Sequence, residues 1–164
     1  MVTPPPDAPR WLSTQESEAW LAFLMGTQAL MAELDRQLLT DAGIPHSWYA
    51  VMVILSRQPD QVMSQTALAS SAGFSLSRLS HTITRLEGRG WLRRVPHPTN
   101  RRTTNVELLA PGQAALDEMA PGHVAAVRAM LFDQLDEHQV DALRQIFQAV
   151  LAAAGPPPYR APVV

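Results

Sequence analysis

Ser77, His81 and Arg85 recur at every fourth position, with Arg78 beside the first of them. On a helix that spacing puts the three on one ridge. The chemistry these groups offer is recognition. A guanidinium fork can donate to both acceptor atoms of a guanine edge, and a hydroxyl or imidazole can reach base edges or phosphate oxygens. Ser75, Ser80 and Thr82 on the same stretch, and Arg94, Arg101 and Arg102 just downstream, complete the residues expected to touch double-stranded DNA. The competing reading is an ordinary polar helix surface.

Charge bears on the two readings. Seven arginines and one acid, Glu87, lie between Arg78 and Arg102, a local net charge of +6 in a chain whose total is −2. A concentrated basic block in an otherwise acidic protein is the footprint of a polyanion partner, although a solvated basic face has the same composition.

The elements that must carry these residues can be read from caps and periods. Ser13 with Glu16 forms a capping box for a long first helix whose apolar positions Trp20, Leu24, Met31, Leu34 and Leu38 keep a helical period, broadened by Phe23 and Leu30. Gly43 suits a left-handed cap, and Pro45 leads into a second helix that runs to about residue 57 with Trp48, Val51, Met52 and Leu55 inward. Residues 58–61 read as a turn. Ser64 caps a short helix to about Ala72, Gly73 permits a sharp reversal, and Ser75 caps a helix to about Arg89 whose inward stripe is Leu76, Leu79, Ile83 and Leu86. Helix, glycine turn, helix is the spacing of a helix-turn-helix.

After Gly90 the period changes. Residues 91–95 and 103–109 are β-compatible, and the segment from Pro96 to Arg102 joins them as a hairpin, placing Arg101 and Arg102 at its tip. A guanidinium there can enter a minor groove, and at least one of Arg93 and Arg94 is suited to a phosphate. Two helices follow. The first starts near Pro111 and presents Leu116, Met119, His123, Val127 and Met130 on one face, where His123 reads as a satisfied core imidazole. The second is capped by Asp136 with Gln139 and carries a seam of Val140, Leu143, Phe147 and Val150, widened by Ile146 and Leu151. Apolar residues in surplus of one small core, at both ends of the chain, suggest a shared interface.

The run from Leu79 to Arg94, LSHTITRLEGRGWLRR, resembles the recognition helix and wing entry of the MarR (multiple-antibiotic-resistance regulator) family, and PTNRRTTNVELLAPG from Pro98 to Gly112 is similar to that family's wing and fifth helix. The resemblance covers about residues 13–153. It implies a mainly α, winged helix-turn-helix protein of six helices and a small β-hairpin wing. Residues 45–109 would form the DNA-binding part. Residues 13–44 and 110–153 would form a dimerisation part, and 1–12 and 154–164 would be flexible tails. It implies a homodimeric transcriptional regulator, expected as a repressor on a palindromic operator. Two positions depart from the family pattern: Asn100 stands where an acid two residues before the wing arginine is usual, and His97 also replaces a common acid.

The family often senses small aromatic or phenolic ligands between its DNA lobe and its dimer helices. Trp20, Phe23, His46, Trp48 and Tyr49 are the residues this chain offers there, although aromatic residues in such places more often pack a core. The alternative function is an architectural or partner-dependent DNA protein that senses nothing, and a polar-lined cavity between the lobes would tell the two apart. No phosphate loop, nucleophile elbow or catalytic carboxylate pair is evident, so an enzyme is not expected. No cysteine is present, and the five histidines lack metal-ligand spacing, so neither a cofactor nor a metal is expected. No apolar run reaches the length of a membrane span and the N-terminus does not read as a secretory signal, which makes the cytoplasm the expected location without membrane association.

Overall fold

Local hydrogen bonds start and stop the helices where the sequence places them. In the computed structural model, which describes residues 9–100 and 103–154, helix α1 spans Thr14–Ala42. The Ser13 hydroxyl accepts from the Glu16 amide at 3.2 Å and the Glu16 carboxylate accepts from the Ser13 amide at 2.7 Å. Gly43 closes α1 at a φ of +64°. Helix α2 covers His46–Ser56, and its first amide donates to the Asp35 carboxylate of α1 at 2.8 Å. Helix α3 covers Gln65–Ala72, capped by Ser64, and α4 covers Leu76–Glu87, capped by Ser75. Between them Gly73 takes a φ of +65°, a region costly for any residue with a Cβ, so the tight reversal depends on glycine there.

The wing is larger than a hairpin. Strands β2 (Leu92–Pro96) and β3 (Thr104–Leu108) pair as expected, but β1 (Val62–Ser64) adds to the far side of β3, giving an antiparallel sheet in the order β1-β3-β2. Three residues are too few to show alternation. Asp60 and Gln61, both at positive φ, turn the chain into β1 immediately after the expected turn. Helix α5 runs Ala110–Met130 and α6 runs Glu137–Ala154. Asp136 and Gln139 exchange amide-to-side-chain bonds at 2.9 and 2.8 Å ahead of α6, as their spacing predicts.

The core lies between α2, α3, α4 and the sheet. Met52, Leu55, Leu68, Leu79, Ile83, Leu86, Leu92 and Val106 are sealed there, and Leu38 from α1 and Leu116 from α5 reach into it. Gly112, in the first turn of α5, packs directly on the base of the wing. A Cβ at that position would run into the Trp91 carbonyl oxygen and would meet Leu108 Cδ1 at 2.7 Å. Close helix-to-sheet approach therefore requires glycine here.

Leu76 departs from its expected inward stripe. It is 56% exposed, because the buried face of α4 is Leu79, Thr82, Ile83 and Leu86, which leaves position 76 at its margin on the first turn. One face of α1 and the whole of α6 are likewise uncovered. Trp20, Leu24 and Met31 on α1 are exposed, and α6 has no buried residue. Among the described residues no single helix is long and apolar enough to cross a membrane.

Candidate nucleic-acid interface

Helix α4 is fixed on one face by core packing, which determines what its other face presents. Ser77, Arg78, His81, Thr84 and Arg85 are exposed, and Ser75 accepts the Arg78 amide at 3.2 Å to cap the leading turn. The Arg78 guanidinium lies 4.1 Å above the centre of the Phe74 ring, which keeps it beside that turn. Among the described residues the Arg85 side chain makes no ion pair or hydrogen bond. Thr82 departs from the expected exposed set: it is 6% exposed and faces inward with Ile83. Its neighbours at 81 and 85 turn outward, whereas position 82 lies on the flank of the buried stripe of Leu79, Ile83 and Leu86.

The basic block divides into two populations. Arg94, expected among the DNA contacts, ties the wing to the recognition helix. Its guanidinium is ion-paired with Glu87, and its Nη2 donates to the Ser80 carbonyl at 3.0 Å, to Ser80 Oγ at 3.3 Å and to Thr84 Oγ1 at 3.2 Å. The Arg94 amide also donates to Glu87 at 2.8 Å. Ser80, expected to reach DNA, is half-buried under that guanidinium. Arg93 is paired with Glu107 across the sheet through two hydrogen bonds of 2.7 and 2.9 Å. Arg89 sits over the rings of Trp48 and Trp91 and donates to the Gly43 carbonyl at 3.2 Å. Arg78 and Arg85 remain available. Arg101 and Arg102 lie outside the described residues.

The aromatic residues expected to gather at a ligand site form three groups. Trp20 stacks on Phe23 at 5.8 Å, and Phe23 meets Phe147 of α6 at 5.7 Å. Trp48 belongs to the Arg89 stack. His46 and Tyr49 of α2 meet His123 of α5, with ring separations of 5.4 Å for His46–His123 and 4.5 Å for Tyr49–His123. Burial holds both imidazoles below the usual histidine range, and the neighbouring His46 adds to the effect at His123. Burial also pushes the Tyr49 phenol up. His123 is not the satisfied core imidazole its stripe suggests: it is half-buried, and its Nδ1 is sealed from solvent without a hydrogen-bond partner.

A cleft of about 300 Å³ does lie between α1, α5 and the turn leading into β2, lined by Gln37, Asp41, Arg89, Trp91, Glu118 and Met119 among others. None of the five expected ligand residues lines it. Gln37 donates to Asp41 at 2.9 Å, and its carbonyl oxygen is buried with no partner. Sequence reasoning passes over these side chains, since a glutamine and an aspartate four apart on a helix also describe any solvated face. Among the described residues no three histidine or acidic side chains come together as a metal site.

Comparison with known proteins places this arrangement. The MarR family model matches residues 44–104, the segment that holds the helix-turn-helix and most of the wing. Sco3205 of Streptomyces coelicolor, a MarR-family transcriptional regulator solved in complex with DNA, is 38% identical and superposes with a TM-score of 0.85 over 93% of this chain and 98% of its own. The chain belongs to the MarR family. It is a DNA-binding transcriptional regulator with that family's winged helix fold. A second member of the MarR family, AbsC of Streptomyces coelicolor, is 30% identical with a TM-score of 0.82 over 89% of this chain and 98% of its own. The HTH-type transcriptional repressor YetL of Bacillus subtilis (strain 168) is 24% identical over 97 residues, a match spanning 59% of this chain and only 58% of that repressor.

Proposed function

We propose that this MarR-family regulator is a sequence-specific repressor that binds a palindromic operator as a homodimer. The observation that carries the proposal is the face of α4: Ser77, Arg78, His81 and Arg85 point away from the core, while the nearby Arg89, Arg93 and Arg94 are consumed by internal contacts. Helix α4 would enter the major groove by its capped first turn, with Arg78 and Arg85 reading base edges. Arg101 and Arg102 on the wing would contribute backbone and minor-groove contact.

Residues 45–109 would act as the DNA-binding lobe, and the flanking helices as the dimerisation part. The uncovered Trp20–Phe23–Phe147 cluster and the apolar seam of α6 support a second copy as the occupant, since a helix with no buried residue gains little from its own chain. The cleft beside Gln37 and Arg89 supports release by a small ligand, because it lies where the turn joining α4 to β2 meets α1 and α5. The repressor name of the Bacillus relative favours repression over activation.

The test is selection of bound genomic fragments followed by fluorescence anisotropy on the recovered site and a scrambled duplex. Arg78→Ala or Arg85→Ala should weaken the selected site by about 1–3 kcal/mol relative to scrambled DNA. Equal losses on both duplexes would refute base reading by α4.

A further inference from the structure

Between β2 and β3 the sequence runs Pro96, His97, Pro98, Thr99, Asn100. The two prolines stiffen the backbone on either side of His97, and Pro98 has no amide to donate. The next two amides both turn back to the imidazole: Thr99 N and Asn100 N lie 3.3 and 3.2 Å from His97 Nδ1, and Thr99 Oγ1 lies 3.4 Å away. The His97 amide donates to the Thr103 carbonyl at 3.3 Å and the Thr103 amide to the Asn100 carbonyl at 3.0 Å, which closes the loop. The ring nitrogen thus does what an aspartate or asparagine oxygen does in side-chain-organised turns.

We infer that His97 is a positioning residue of the wing, its neutral imidazole organising the loop as an acceptor at Nδ1, so that protonation of the ring opens the turn and weakens the wing's contribution to DNA binding. The inference rests on the wing contact proposed above, because Arg101 and Arg102 follow Asn100 directly in the chain.

At the two backbone amides the chemistry has one sense, since an N–H can only donate. An imidazole that accepts at Nδ1 carries its proton at Nε2, whereas an imidazolium carries both and accepts nothing. Protonated, Nδ1 would aim a donor at two donors. The charged groups on the strands that bear the loop are already engaged, Arg93 with Glu107 and Arg94 with Glu87. Among the described residues His97 has no ion-pair partner, and the charges next to it in the chain, Arg101 and Arg102, have the same sign as the imidazolium. Attraction of an imidazolium to DNA phosphate works the other way, which is why the pH profile decides the matter.

Two measurements separate this inference from the reading beneath it. In DNA-free protein with ¹⁵N-labelled histidine, the His97 ring at about pH 8 should be the Nε2–H tautomer, and the Thr99 and Asn100 amide resonances should move together as it titrates. An Nδ1–H tautomer, or amides that ignore the titration, would overturn the inference. For DNA binding, wild type is compared with His97→Asn, which keeps a short acceptor and does not titrate. Between about pH 8 and about pH 5.5 the wild type should lose roughly fivefold more affinity per wing than His97→Asn, the worth of one net hydrogen bond. His81 is present in both proteins and cancels. Parallel profiles, or a wild type that gains on acidification, would mean that His97 serves as a phosphate ligand and would reject the positioning role. If Arg101→Ala and Arg102→Ala leave binding untouched, the proposed wing contact fails, while the tautomer experiment still decides what His97 does.

Discussion

Arg94 offers the sharpest test of how this molecule divides its arginines. Its place in a basic block points to phosphate contact, yet its guanidinium spans Glu87, Ser80 and Thr84 and leaves its side chain 29% exposed. Arg94→Ala removes every guanidinium donor from that cluster and leaves the Glu87 carboxylate, itself 29% exposed, with only the backbone amide of residue 94 as a partner there. A hydrogen bond to a charged group contributes about 1.5–3 kcal/mol, and the partial exposure of both partners argues for the lower half of what several such bonds sum to. The expected loss of folding stability is therefore about 2–3 kcal/mol, read by urea denaturation. A phosphate ligand behaves differently: its removal costs little stability and lowers the log–log salt slope of DNA binding by about 0.9 for each phosphate it had neutralised. With Arg94 as an internal tie, the slope of Arg94→Ala should match the wild type even as affinity falls. Glu87→Gln probes the same tie from its other end. Weakening it there should destabilise the protein and reduce DNA affinity. If Arg94 were held back from a phosphate by Glu87, the same substitution would release it and strengthen binding. Stronger binding by Glu87→Gln, or a reduced slope with unchanged stability in Arg94→Ala, would refute the internal role.

Three further outcomes are expected. Burial depresses the proton affinity of His46 and His123, so the unfolded chain takes up protons first as pH falls through about 6.5. Stability should be level above that pH and decline below it, with Tm measured from about pH 7.5 to about pH 5 falling less in His123→Phe than in wild type. Leu76→Ala should shift stability by no more than about 0.5 kcal/mol despite removing a leucine, because the side chain lies at the margin of the core; a loss of about 2 kcal/mol in chemical denaturation would place it inside. Light scattering at micromolar concentration should give twice the 18.0 kDa chain mass, and Phe147→Asp, which sets a charge in the exposed aromatic cluster, should lower it; a wild type that stays monomeric would remove the proposed dimer.

Much of the fold is legible in one dimension because its boundaries are made by bonds between residues three or four apart. Ser13 with Glu16, Asp136 with Gln139, and the Ser64 and Ser75 caps all close within one helical turn. Gly43 and Gly73 mark turns through backbone freedom that needs no distant partner. The recognition helix follows from these caps and its apolar stripe, and so does the outward placing of Ser77, His81 and Arg85. Tertiary structure decided what each charged or aromatic side chain is for. Arg93, Arg94 and Arg89 look alike in sequence to Arg78 and Arg85, but strand pairing brings Glu107 to the first, the fold of the wing on α4 brings Glu87 and Ser80 to the second, and two tryptophans and the Gly43 carbonyl enclose the third. The three-residue strand β1 exists only because β3 has a free edge beside it, and Thr82 is buried because α4 packs the face carrying Leu79, Ile83 and Leu86 against the core and takes position 82 with it. Partners of this kind are set by folding across seven to forty-six residues of chain, where composition and local spacing carry no record of which groups will meet.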